Sequence, residues 1–519
     1  MPVTGGSRRA AKTVQLAVAL GLVAGLLFTG GSGAILGDSS SAPDRSPVDP
    51  RAAAVPFPTT ADPGSERSGS DGSGSAPGSA SGSPPGSVSG GGPPGSASGG
   101  PPAAVTGGAG TPADQLAADM VTGVEQFWRD QFPAHFGRAW VNIRGFHAVD
   151  PGNPDVPAPC LRRPLDLSEQ ALYCARQDTV AWDRAGLLPT LRRTYGDGAV
   201  LVALAHEIGH AVQDRLGINT EVQPREPARY PTILLEAMAD CFAGVVVHAA
   251  ADGRLGKIRI SRLELDRAVR ALLSFRDPVG VAVSTTAHGD AFDRASAFLD
   301  GYQHDAGTCG AMTVRNQVFT QRGYTSLTDV MQSGDLPLND LLAGLGPDVD
   351  GWFGRLVTTR GRTWQAPLRS LPALRGCATP HLERQGPVRY CASTGAVSMS
   401  VPELARVHDG LGDYAGGELL ASRSALAALA ALGRPVHGPE AGRTAVCLSG
   451  AYTRSLFDRS GNGGFGLSPG DIDEAVQELL DHDFAARDAA GRAPEGDLGF
   501  ERITQFRAGA LGGPGECGL

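Results

Sequence analysis

Two stretches of this chain repeat apolar residues at a helical period, and each interrupts the pattern with groups that do not belong in an apolar helix. Between 197 and 217 the run holds Ala199, Leu201, Val202, Leu204, Ala205 and Ile208, opened by Gly196-Asp197-Gly198 and closed by Gly217. This predicts a helix with Asp197 as its N-cap and Gly217 just past its end. A second run starts at Pro231, which suits a first helical turn, and stays apolar to about Ala250 before Gly253. Gly209, inside the first helix, costs roughly 1 kcal/mol relative to Ala, so a metal, a substrate or another helix is expected to come close there.

The N-terminal pattern is of another kind. Arg8, Arg9 and Lys12 precede an uncharged span from Thr13 to Gly37 whose apolar core runs from Val14 to Phe28. A basic segment followed by a hydrophobic one is an export signal. The length of the span favours a single membrane anchor over residues 1–37, positive end inside, with a cleaved signal and secretion as the alternative. Residues 38–112 are dominated by Gly, Ser and Pro, as in Gly82-Ser83-Pro84-Pro85-Gly86-Ser87. Such a tract cannot bury a core and is expected to be a disordered tether, with a span on the order of 50 Å. With 45 basic and 54 acidic residues the net charge is −9, and no basic patch points to nucleic acid.

The interruptions carry the chemistry. The first helix contains His206-Glu207-Ile208-Gly209-His210. Two histidines one turn apart on one face can hold a single zinc ion, and the glutamate between them can act on its water. A zinc centre of this kind needs a third ligand and one open position. Glu236 and Asp240 are the only acids in the second apolar run, one turn apart. Glu236 is the expected third ligand, and Asp240 the acceptor for the outer N–H of a ligand histidine.

At these residues the chain resembles the bacterial neutral zinc metallopeptidases, which carry HExGHxxQ followed by ExxADC. The matching residues are His206-Glu207-Ile208-Gly209-His210-Ala211-Val212-Gln213 and Glu236-Ala237-Met238-Ala239-Asp240-Cys241. Upstream, Leu172-Tyr173-Cys174-Ala175-Arg176-Gln177-Asp178 is similar to a further block of that family, with Ala175 where proline is frequent. Downstream, His288-Gly289-Asp290, Asp293-Arg294 and Phe298 are similar to another. The resemblance covers roughly 115–311. It implies a gluzincin-type peptidase in which His206, His210 and Glu236 bind zinc and Glu207 is the general base. Two readings fit His288: a donor to the developing oxyanion beside the metal, or a structural residue at a loop end.

Eight cysteines fall in two sets, Cys160, Cys174, Cys241 and Cys309, then Cys377, Cys391, Cys447 and Cys517. The sets have similar spacings, and Leu216-Gly217, Leu265-Asp266, Arg294, Phe298 and Gly301 align with Leu432-Gly433, Ile472-Asp473, Arg502, Phe506 and Gly509. This predicts two copies of one domain, 113–311 and 325–519. In the second copy His206, Glu207 and His210 become Ser422, Arg423 and Leu426, while Glu236 and Asp240 become Gly442 and Val446. No metal site is expected there, and the shorter spacing is expected to shorten both the loop and the helix that would deliver the third ligand. Behind an export signal the cysteines predict two disulfides per copy. The favoured pairs are Cys160–Cys174, Cys241–Cys309, Cys377–Cys391 and Cys447–Cys517, with Cys241–Cys309 bracing the ligand helix against the His288 segment.

The expectation is therefore a mainly α chain with a zincin-like metallopeptidase domain and a catalytically degenerate copy, outside the cytoplasm. It would hold one Zn2+ per chain and hydrolyse peptide or protein substrates. The alternative is a cell-surface binding or scaffold protein with a vestigial metal site.

Overall fold

The computed structural model describes residues 103–219, 222–283, 287–370, 377–378, 381–459 and 465–519. The N-terminal segment 1–37, and the tether as far as 102, lie outside the described residues. The chain is mostly helical. Its first half runs β1 (Val105–Thr106), α1 (Pro112–Phe136), β2 (Gly145–Val149), β3 (Ala171–Cys174), β4 (Thr179–Asp183), α2 (Leu187–Tyr195), α3 (Asp197–Leu216), α4 (Thr232–Ala251), α5 (Arg262–Ser274), α6 (Ala291–Gln303) and α7 (Ala306–Gly310). The tether boundary drawn at 112 is therefore late. Val105 and Thr106 already pair with Phe146 and His147, and Thr111 caps α1 in a reciprocal box with Asp114.

Strand order is β1-β2-β4-β3, with β2 parallel and β3 antiparallel to β4, so β3 lies at the edge. Helix α3 is buried along nearly its whole length, as a helix apolar on all sides must be. Gly196 (φ 93°), not Asp197, occupies its N-cap; Asp197 instead pairs with Arg192 at 2.7 Å. Gly217 (φ 86°) ends it in the left-handed conformation. Among the described residues α4 alone is long and apolar enough to cross a membrane, yet it is packed inside the protein. A Cβ on Gly209 would come 2.9 Å from the Ala239 carbonyl oxygen, so the close neighbour at that glycine is α4. Where α4 crosses α6, Cβ atoms on Gly244 and Gly301 would overlap the Phe298 and Cys241 carbonyls.

The second half runs α8 (Leu327–Gln332), α9 (Leu338–Thr358), β5 (Arg369–Ser370), β6 (Val388–Cys391), β7 (Ala396–Met399), α10 (Val401–Leu411), α11 (Asp413–Ala431), α12 (Pro439–Arg459), α13 (Asp471–Asp481) and α14 (Gly499–Gly512). Its strands are ordered β5-β7-β6, with β5 parallel and β6 antiparallel to β7. Where α12 crosses α14, Cβ atoms on Gly450 and Gly509 would overlap the Phe506 and Cys447 carbonyls. Helix α12 has 21 residues against 20 in α4, so the helix is not shortened; only the connection before it is.

All eight cysteines are paired, as Cys160–Cys174, Cys241–Cys309, Cys377–Cys391 and Cys447–Cys517. Four disulfides suit an oxidising, extracytoplasmic compartment. Cys241–Cys309 ties α4 to α7 rather than to the His288 segment, because α7 is the element packed beside that turn of α4.

The halves meet through α5 and α6 on one side and α13 and α14 on the other. Asp473 Oδ1 accepts the Ala291 and Phe292 N–H groups at 2.8 and 3.3 Å, at the start of α6. Asp266 Oδ1 accepts the Phe500 N–H at 3.0 Å, at the start of α14. Arg276–Asp473 (3.1 Å), Arg270–Asp481 (2.5 Å) and Arg262–Glu501 add ion pairs, and Phe292 meets Phe506 edge-on.

Candidate metal centre

Helices α3 and α4 bring His206, His210 and Glu236 together so that one donor atom from each lies within 4.8 Å of the others. His206 Nε2 is 3.2 Å from Glu236 Oε2, and His210 Nε2 is 3.6 Å from Oε1. Two donors each about 2.0–2.2 Å from a tetrahedral zinc stand roughly 3.4 Å apart, so these separations fit such an ion between them. Among the described residues both Glu236 oxygens are buried and face no donor other than the two imidazole nitrogens. A buried carboxylate left without donors is costly unless a cation faces it. Neutral imidazole nitrogens with one carboxylate are a donor set suited to zinc.

Behind the cluster each histidine has a partner on its other nitrogen. His206 Nδ1 lies 2.7 Å from Asp240 Oδ1, one turn beyond Glu236 on α4. Asp240 in turn accepts Arg294 Nε at 2.9 Å and Nη2 at 2.8 Å, and Arg294 Nη1 donates to the Phe275 carbonyl at 2.9 Å. Arg294 and Asp240 are fully buried. His210 Nδ1 faces Gln213 Oε1 at 3.2 Å, and the Gln213 amide donates to the Leu235 carbonyl at 2.5 Å. Burial opposes a charge on His206, but Asp240 beside it outweighs burial and raises the imidazole to about 10. Burial likewise acts to raise Glu236, yet the His210 charge, the hydrogen bond and charge of His206 and the more minor charge of His288 hold it at about 2.

Glu207, between the histidines, is buried. Burial raises its carboxyl, opposed by the two histidines and by a hydrogen bond from the Tyr173 backbone N–H. Tyr173 sits on the edge strand β3, which the Cys160–Cys174 disulfide anchors at its end. Its hydroxyl meets Asp178 at 3.0 Å and Asp214 at 3.1 Å, and Arg215 pairs with Asp178 at 2.8 Å. The block around Tyr173 thus fastens β3 to the end of α3.

His288 is held by Asp277, which accepts its N–H at 2.8 Å and faces Nδ1 at 3.1 Å. Burial alone would lower the His288 imidazole, but the Asp277 hydrogen bond raises it, and the Glu236 charge adds to that. Its Nε2 is buried without a partner. Sequence reasoning did not name Asp277, which lies in a loop without periodicity. Gln213 and Arg294 stood inside recognised blocks, but no role was drawn for either, because their partners lie on other helices.

A family model described as "Putative neutral zinc metallopeptidase" matches residues 169–304. The match begins just before β3 and ends just after α6, so it contains the His206–His210–Glu236 cluster, Asp240, His288 and Arg294. It stops before the second half. No curated protein and no solved structure matches the chain.

Proposed function

We propose that the first half is a zinc-dependent endopeptidase acting outside the cytoplasm, with His206, His210 and Glu236 as metal ligands and Glu207 as general base. The observation that carries this reading is the buried Glu236 carboxylate whose oxygens face only two imidazole nitrogens, at zinc-like separations. When bound, zinc supplies a Lewis acid that polarises a substrate carbonyl and makes water more acidic. Asp240 fixes the ring orientation of His206, and Gln213 that of His210. Glu207 takes a proton from the attacking water and returns it to the leaving amine. His288, its Nδ1 side fixed by Asp277 and its Nε2 free of protein partners, donates to the developing oxyanion. A peptide substrate fits the edge strand: the outward Tyr173 N–H that meets Glu207 lies on the side of β3 where an extended chain can be laid.

We propose further that 325–519 is a degenerate copy of 113–311. In support, both halves have a sheet with one parallel and one antiparallel neighbour of the central strand, disulfides at matching places, and glycine-mediated crossings of matching helix pairs. The contacts between the halves are reciprocal, Asp266 to Phe500 and Asp473 to Phe292, as in an isologous dimer. In place of a metal, Arg423 is buried, donating to Ser422 Oγ at 2.9 Å and the Ala485 carbonyl at 2.7 Å. A side chain at Gly442, the counterpart of Glu236, would collide with the Ala486 carbonyl. The second half braces α6, and through Arg294 and Asp240 it steadies His206.

Glu207→Gln tests the reading. It should retain about one zinc per chain and lose proteolysis by several orders of magnitude against a peptide library. Wild-type protein that holds zinc but cleaves nothing the mutant leaves intact would instead support a binding or scaffold role.

A further inference from the structure

A second group of carboxylates lies away from the zinc cluster, in the second half. Asp335 precedes α9, Asp413 opens α11, and Glu474 lies in the first turn of α13; one oxygen from each comes within 4.8 Å of the others. Asp471, one turn before Glu474 on α13, lies beside this group, close enough for its charge to act on Glu474. Three of them are gripped on one oxygen by a backbone N–H at 2.7 Å: Leu336 to Asp413 Oδ2, Tyr414 to Glu474 Oε2, and Ser468 to Asp471 Oδ2. Among the described residues the second oxygens of Asp413 and Asp471 are buried and meet no donor from outside the group, Asp413 facing only the Glu474 carboxyl. Asp413 and Asp471 are only 2% and 3% exposed.

Two cations act on the group, each engaged elsewhere. The Arg322 guanidinium influences Asp471, but it donates to the Leu467 carbonyl and lies over the Phe457 ring. His408, which influences Asp413, is engaged by the Leu336 carbonyl at 2.7 Å and by Asp409. Burial raises Asp413, Asp471 and Glu474, and the charges of the neighbouring acids raise them further. Holding a buried carboxylate such as Asp413 by one oxygen while leaving the other without an outside donor is what a cation site requires and what a packed interior avoids.

We propose that Asp335, Asp413 and Glu474, with Asp471 beside them, form a binding site for a hard divalent cation, with calcium the ion it fits. An all-oxygen donor set selects calcium or magnesium over zinc, and carboxylates delivered from three separate segments suit the irregular, many-oxygen shell of calcium. The ion would fasten the start of α13, the helix whose Asp473 caps α6 of the first half.

The test uses the zinc-loaded full chain and terbium as the probe. The Tyr324 ring packs against Gly334, the residue before Asp335, which places a sensitising ring beside the site. Tyrosine-excited terbium emission should appear and be displaced by calcium with a dissociation constant on the order of 10⁻⁴ to 10⁻³ M, the range of extracellular calcium modules. Asp335→Asn with Glu474→Gln, both at partly exposed positions, should weaken binding at least tenfold and abolish the calcium-induced rise in Tm. Their zinc content should stay the same. Without calcium the double variant should melt above wild type, since repulsion is relieved. Terbium emission absent from wild type, or surviving in the double variant at the same affinity, would overturn the proposal. So would equal calcium shifts in Tm.

Discussion

Arg294 and Asp240 form a two-pronged ion pair with no exposure to solvent, and Asp240 Oδ1 is shared between Arg294 Nη2 at 2.8 Å and His206 Nδ1 at 2.7 Å. The pair joins α6 to the helix carrying Glu236. Removing either partner leaves a buried charge uncompensated, a loss of about 3–5 kcal/mol. Arg294→Met should therefore lower Tm and weaken zinc binding by roughly 10–100-fold, the usual scale for groups that orient a ligand.

Glu236→Ala should strip zinc more completely than Asp240→Ala, since one removes a donor atom and the other only its support. Competition with a chelator, followed by metal analysis, ranks the two. If Asp240→Ala proves the more damaging, the two acids must exchange roles.

The helices that hold the cluster could be read from their apolar period, and their interruptions marked His206, Glu207, His210, Glu236 and Asp240 as a group. Those positions sit on two neighbouring elements, where spacing in sequence maps onto spacing on a helix face. The Arg294 partnership escaped such reading because it depends on how α6 crosses α4 over Gly244 and Gly301. Asp277 and the carboxylates around Asp413 were missed for a related reason: loops and helix starts brought together by the fold leave no period in the sequence. The Asp197 cap failed locally, because Gly196 at φ 93° turns the chain and frees the aspartate for Arg192.

Glu478, on α13, makes a pH prediction. Burial raises its carboxyl to about 8, with Arg502 and Arg423 opposing and Asp481 and Asp483 adding to the rise. Neither of its oxygens has a hydrogen-bond partner. A folded pKa above the ordinary 4.5 means the folded state keeps a proton that the unfolded chain gives up. The stability from this group is whole below about pH 4.5 and is lost as pH rises through about 8. Thermal unfolding from about pH 5 to pH 9 should show Glu478→Gln losing less Tm than wild type. Equal losses would mean that Glu478 is solvated or paired in solution.

The matching glycines permit a paired experiment on the two halves. A methyl at Gly301 would overlap the Cys241 carbonyl, and one at Gly509 would overlap the Cys447 carbonyl. Both substitutions force apart tightly crossed helices, so Gly301→Ala and Gly509→Ala should each cost about 1–3 kcal/mol, as overpacking does. Their effects on zinc should differ. Gly301 faces the residue next to Asp240, so displacing α4 from α6 disturbs the Arg294–Asp240–His206 line and should weaken zinc binding severalfold. Gly509 faces a turn of α12 where the residue next to Cys447 is Val446, which offers no support to a metal ligand, so zinc affinity should be nearly unchanged. Comparable losses of zinc in both variants would show that the second half supports the metal centre more directly than through α6, as part of the site's own framework.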